Sequence, residues 1–432
     1  MQSLKMRLSL LALATAALAR SEVTFHRDVE PIFEKHCQEC HRPGEIAPFS
    51  LVTYKDARPW ARSIRENVLS KKMPPWFADP QYGHFANDRS LSKQEIDALV
   101  AWVDGGAVEG DPKDAPGPRS FTEGWNIVQP DLVLSMAQPF HLPAKGDVPY
   151  QYIVLPTHFT EDKWVQMAEV RPSDRSVVHH MVVFVRSARS NWLRDAAPGV
   201  PYAPPAGDFR NIAGGGNELL MGYSPGKTPD RWGPGQAKLI RAGSDLVLQV
   251  HYTPNGKATE DQTKIGLVFA EQRPAERIIG MAAQNLRFQI PPGDPNYRVD
   301  ARSTFPNGVT ILGFLPHMHL RGKAFEYRAV YPDGRTEVLL RVPHYDFFWQ
   351  LDYKLAEPLK LPPGTTIECS AWYDNSANNP RNPDPTATVG FGEQSWEEMM
   401  VGFYDLVVPV DMSLRELLMP TRAPDSGGGG SQ

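Results

Sequence analysis

The sequence predicts a multidomain fold: a small all-α module followed by two all-β sandwiches. Three observations predict it. Residues 21–110 carry apolar residues at helical spacing and a helix-capping motif. Beyond residue 124 the pattern changes to short β-branched and aromatic runs separated by Pro-Gly, Asn-Gly and Asp-Gly turns. The chain also has 41 prolines against 34 glycines, which favours turn-rich β structure over long helices.

Taken in order, residues 1–19 read as a secretory signal. Lys5 and Arg7 precede an apolar run from Leu8 to Ala19, and Ala17-Leu18-Ala19 suits cleavage after small residues. The run is too short to span a bilayer, so the mature chain is expected to lack an integral membrane segment and to be periplasmic or secreted. In residues 21–110 three helices are expected. Asp28 to Cys40 places Val29, Ile32 and Phe33 on one face, and Ala57 to Ser70 is the second. The third, Ser92 to Val103, opens with a Ser92/Glu95 capping box and ends at Gly105-Gly106. Residues 111–124 are rich in proline, glycine and charge and read as a flexible linker, reaching about 20 Å as a random coil. The sandwiches are assigned to residues 125–274 and 275–412, with the boundary near Pro274. Val177 to Val185, Leu246 to Tyr252, Val309 to Leu315 and Thr365 to Tyr373 are typical strands. Residues 413–432 form a tail whose glycine-rich end is expected to be disordered.

The 432 residues are 41% hydrophobic and 22% charged, as in a globular protein large enough for two or three domains. A net charge of −5 implies no nucleic-acid or membrane-surface partner.

The run Cys37-Gln38-Glu39-Cys40-His41 carries the most chemistry. Cys-x-x-Cys-His is the attachment site of one covalently bound haem c, with His41 as an axial ligand. A zinc site would need further thiolates or paired histidines nearby. Met73, in the proline loop Lys72-Met73-Pro74-Pro75-Trp76, is the favoured second axial ligand. A thioether raises the haem potential. His26, His36 and His84 are its rivals. The remaining thiol, Cys369, cannot form an internal disulfide and is read as a buried core residue.

Five histidines stand out in the β region. His179 and His180 are adjacent, His251 ends a strand, and His317 and His319 flank Met318. Residues two apart on a strand share a face, so His317 and His319 can converge on one metal. Adjacent residues face opposite ways, so His179 and His180 need a strand end or a bulge to do so.

The stretches Val178-His179-His180-Met181, Val247-Leu248-Gln249-Val250-His251-Tyr252, His317-Met318-His319 and Glu398-Met399 resemble the copper type II, ascorbate-dependent monooxygenases, among them peptidylglycine alpha-hydroxylating and dopamine beta-monooxygenase. The motifs occur in the family's order across residues 125–408. The resemblance implies two jelly-roll-like sandwiches and two copper ions. His179, His180 and His251 would hold an electron-transfer copper; His317, His319 and Met399 would hold the catalytic one. It further implies dioxygen as co-substrate and ascorbate as a possible reductant.

Where the peptide-amidating members hold a substrate carboxylate with an arginine, an asparagine and a tyrosine, this chain has Leu315, Val401 and Phe403. A carboxylate there would be poorly solvated, so the expected substrate is a small, apolar molecule, unless another loop supplies the cation. The expected activity is hydroxylation of a C–H bond. Electrons would come through the haem, from ascorbate, or from a quinol-linked or soluble redox protein. The rival reading is a non-catalytic electron carrier or copper-binding protein.

Overall fold

The structure is a computed structural model that describes residues 22–117, 119–121, 124–204 and 217–419. The signal segment expected at residues 1–19 and the end of the tail lie outside the described residues. No helix among the described residues is long and apolar enough to cross a membrane.

The N-terminal module is built from short helices: Glu30–His36 (entered through a π turn, Phe25–Val29), Tyr54–Ala57, Ala61–Leu69 and Lys93–Asp104. The first is shorter than its apolar pattern predicts, because the chain leaves the helix at Cys37 and makes the tight turn of the cysteine motif. The last starts at the predicted capping box: Ser92 accepts from the Glu95 backbone, and Glu95 accepts from the Ser92 backbone. The helices close on Phe25, Phe33, Leu99 and Trp102, all fully buried.

The β region contains several sheets. The largest has 13 strands and runs through both predicted sandwiches. Its hinge is Glu276–Asn285, immediately after the predicted boundary. That strand pairs antiparallel over ten residues with Met400–Pro409, and on its other edge with Gln236–Ile240 and Glu218–Tyr223. The two halves are therefore joined by backbone hydrogen bonds. Each still has its own core, because successive side chains on a strand point to opposite faces. Ile278 and Val407 face the first core; Ile279, Leu406 and Val408 face the second. A separate four-stranded sheet covers the second core, and Cys369 on it is fully buried.

The linker departs from expectation. Most of its described residues are exposed, but Arg119 and Phe121 contact the helical module around the cysteine motif. Arg119 donates to the Glu34 carbonyl and lies 3.5 Å from Glu39, and the Arg42 guanidinium sits 4.4 Å above the Phe121 ring. Arginine is the physical reason: composition suggested solvation, but Arg119 finds a carbonyl and a carboxylate, and Phe121 finds a cation. The module is in turn docked on both halves of the β region. Glu45 pairs with Arg175 at 2.6 Å, Arg42 reaches Asn126, and Arg89 donates to the Gly226 carbonyl. Residues 74–90 form a strap along the second half, where Phe85 bridges to Leu355 and Asn87 bonds the backbone of Asp352 and Lys354.

Candidate metal centre

His180 and His251 come together because their strands are neighbours. Val178–Arg186 pairs antiparallel with Asp245–Tyr252, and His180 lies opposite His251. His179 joins them through a β-bulge. The register slips by one residue between Val178 and His180, leaving His179 as the extra residue. All three side chains are buried. The Nδ1 atoms converge: His179 and His180 are 2.8 Å apart, His251 and His179 3.2 Å. Burial holds His179 down to about 4, and burial followed by the neighbouring imidazoles holds His180 and His251 well below the ordinary histidine range. The rings are thus neutral at pH 7, as metal ligands must be.

Hydrogen bonding alone does not satisfy this trio. The Nδ1 of His179 cannot pair well with two other Nδ1 atoms, and its Nε2 is buried with no partner. Nitrogens bound about 2.0 Å from one metal lie about 3.3 Å apart in tetrahedral geometry, close to the observed spacing. Around the trio, Tyr150 stacks on His251 with centroids 4.7 Å apart and its hydroxyl lies 3.3 Å from His180 Nε2. Phe347 stacks on His179 at 4.3 Å.

His317 is the last residue of Val309–His317, and His319 sits just beyond the strand. Their shared direction thus owes more to the following turn than to strand alternation. Glu398, fully buried, accepts from the His319 and Arg321 backbone N–H groups and clamps that turn. Burial pushes Glu398 up to about 8, against the pull of those two N–H groups. His317 Nδ1 meets Gln350 Oε1 at 2.9 Å, and His319 Nδ1 meets the Glu397 carbonyl at 3.2 Å. Each imidazole therefore keeps Nε2 for another partner, and that of His319 is buried and unpartnered. His317 pairs with Val401 across the sheet, and Met399, two residues before Val401, lines the same cavity as His317. The trio and the pair are contiguous: the His180 and His317 rings are 5.4 Å apart, and those of His317 and His319 are 5.3 Å apart.

A cavity of about 650 Å³ opens on this cluster, lined by His180, His317, Met399, Leu315, Val401 and Phe403. The register orders its floor. Val401 lies between Gln284 and His317, Phe403 between Ala282 and Leu315, and Asp405 between Gly280 and Gly313. Leu315, Val401 and Phe403 thus form the floor on the histidine side, where Tyr150, Gln284, Gln350 and Glu393 also line the cavity, and Asp405 lies toward the far end. Two lysines on the wall have close carboxylates, Lys238 with Asp405 at 2.9 Å and Lys227 with Asp230 at 2.7 Å, and the third, Lys354, lies 3.8 Å from Asp352.

In the helical module, Cys37 and Cys40 lie on one turn and neither is in a disulfide. Burial pushes Cys37 up to about 12. His41 Nδ1 lies 3.2 Å from the Phe49 carbonyl, leaving Nε2 for an axial bond. Two rivals of Met73 are engaged at both ring nitrogens. His36 contacts the Arg89 carbonyl and Glu95; His26 contacts Glu30 and, at 3.7 Å, Glu109. His84 belongs to the strap, its carbonyl accepting from Ala356 on the second half. Met73 is half-buried on the loop leaving Ala61–Leu69.

Sequence reasoning missed Tyr150, Phe347, Gln350 and Glu398. Only Glu398, next to Met399, carried a positional signal.

Residues 28–106 match the cytochrome c family model. The helical module is a cytochrome c domain, and haem c and electron transfer are its chemistry. No curated protein matches the chain. Similar solved structures include the VP2 subviral particle of infectious bursal disease virus, at 14% identity over 70% of this chain and 77% of that one, with TM-score 0.18. The Gx strain of the same virus follows at 10% identity, 70% and 78% coverage, and TM-score 0.18. A likeness that slight says nothing about function.

Proposed function

We propose that this chain is an exported copper monooxygenase with two jelly-roll-like halves. It would hydroxylate a C–H bond of a small, apolar substrate, with electrons supplied through its haem c, by ascorbate, or both. The observation that supports the reading is a buried trio, His179, His180 and His251, contiguous with the His317/His319 pair beside a cavity whose lining includes His180, His317 and Met399. Neutral imidazoles with a thioether suit copper in both oxidation states.

His179, His180 and His251 would hold one copper; His317, His319 and Met399 would hold the other. Copper supplies one-electron redox chemistry and dioxygen activation at such sites. Cys37, Cys40 and His41, together with Met73, would hold the haem, which would supply one-electron redox chemistry. The chain's own residues do the rest. Gln350 and the Glu397 carbonyl hold the His317 and His319 tautomers, and Tyr150 does the same for His180. Leu315, Val401 and Phe403 exclude water and position an apolar C–H beside the pair. Overall, substrate, dioxygen, two electrons and two protons give the alcohol and one water. A mere electron carrier would not need a cavity of this size beside its ligands.

The test is oxygen uptake by copper-loaded holoprotein with ascorbate and a panel of apolar substrates, with labelled dioxygen. Label in the alcohol product supports the reading. Stoichiometric zinc instead of copper, or unlabelled product, overturns it.

A further inference from the structure

The cytochrome domain touches the β region beside the loop that carries Phe347, Trp349 and Gln350. Gly226 marks the place. A Cβ added there would lie 3.4 Å from Cys40 Sγ, 3.0 Å from Arg89 Nη1 and 3.9 Å from Trp349 Cζ3. Cys40 Sγ and Trp349 Cζ3 are thus at most 7.3 Å apart, the sum of 3.4 and 3.9 Å. Gly226 also takes φ +77°, a conformation that glycine adopts without strain. The bare backbone lets the cysteine turn and the indole approach each other.

On its other side the loop is anchored to the histidines. Gln350 is buried, with Oε1 2.9 Å from His317 Nδ1. Its carbonyl accepts from the buried Ser224 hydroxyl at 2.7 Å, tying the loop to the segment that contains Gly226. Phe347, three residues back, stacks on His179. Arg89, reaching from the cytochrome side to the Gly226 carbonyl, and Asn87, on the strap, fix the geometry.

We propose that Trp349 and Gln350 form the electron-conducting contact between the haem edge at Cys40 and the histidine cluster. This rests on the function proposed above. Tunnelling weakens steeply with distance, and Trp349 stands within that short reach of Cys40 and is bonded in sequence to Gln350, which meets His317. In each transfer the ferrous haem loses one electron and cupric copper held by the histidines gains it. No bond forms or breaks and no proton moves. Two transfers serve each product, and ascorbate or a redox protein re-reduces the haem.

The experiment is anaerobic stopped-flow of oxidised, copper-loaded full-length protein with substoichiometric dithionite, following the haem α-band. In wild type the band should rise and then decay as the electron leaves. In copper-free protein it should rise and stay. Trp349→Leu should slow the decay by about an order of magnitude, because the indole standing between Cys40 and Gln350 is removed. Arg89→Ala should slow it less, and Trp349→Phe should retain most of the rate. Haem spectrum, midpoint potential and copper content should stay as in wild type. Wild-type decay in a folded Trp349→Leu protein overturns the proposal. If that variant does not fold, wild-type decay in Arg89→Ala does so. Absence of decay in wild type removes the haem as donor and this contact with it. Ascorbate-driven oxygen uptake by the same preparation then judges the monooxygenase reading separately.

Discussion

His317 turns one ring nitrogen to Gln350 and keeps the other for a ligand. Partners of this kind orient a ligating imidazole, and their loss weakens metal binding about 10- to 100-fold. Gln350→Leu should therefore weaken the second copper by that factor in a competitive chelator titration, leaving the first unchanged. His317→Ala should reduce copper from two per chain to one and abolish dioxygen chemistry, while the copper on His179, His180 and His251 stays reducible. At the other centre, Cys37→Ala with Cys40→Ala should remove the c-type spectrum that resists acid-acetone extraction. Haem still covalently held in that double variant would contradict the attachment site.

Elements decide how these residues meet. A strand with regular alternation would send His179 and His180 to opposite faces; the one-residue bulge brings both to His251. Met400–Pro409 does comparable work for the second set, carrying Val401, Phe403 and Asp405 along the cavity floor. Its tightest point is Gly402, where an added Cβ would fall 2.6 Å from Cys369 Sγ and 3.0 Å from Tyr327 Cε1. Gly402→Ala should destabilise the chain by about 1–3 kcal/mol through overpacking, measurable by denaturant unfolding. Gly402→Ala combined with Cys369→Ala should recover part of that loss, because the sulfur is the nearest obstacle.

At the scale of the whole molecule, two cores share one continuous sheet, and a cytochrome c domain is clamped across both halves rather than tethered. The cavity lies inside that assembly, with Leu315, Val401 and Phe403 on its floor beside the histidines and charged pairs toward the far end. Turnover should favour apolar or weakly polar molecules, with little activity on glycine-extended peptides. Efficient amidation of such a peptide would contradict the apolar reading of Leu315, Val401 and Phe403. Lys227 and Lys238 on the wall are paired with their own aspartates, and Lys354 pairs with Gly313 beside Asp405, away from the histidines.

The sequence by itself determined the class of each part. Cys37, Cys40 and His41 are contiguous, so their joint chemistry could be read without a fold. The Ser92 capping box and the alternating strands are likewise local patterns. The histidines could be marked as candidates because imidazoles in apolar strands are unusual. Only the tertiary structure decided what joins what. Gln350 lies 33 residues from its partner His317, and Tyr150 lies 30 from His180, so neither shows in a local pattern. The bulge at His179 depends on register with another strand. The shared sheet depends on Glu276–Asn285 pairing in both directions. The linker's fate depended on a carbonyl, a carboxylate and an aromatic ring that composition cannot place. Each of these is a contact between distant parts of the chain, set by packing and hydrogen bonding in the folded state.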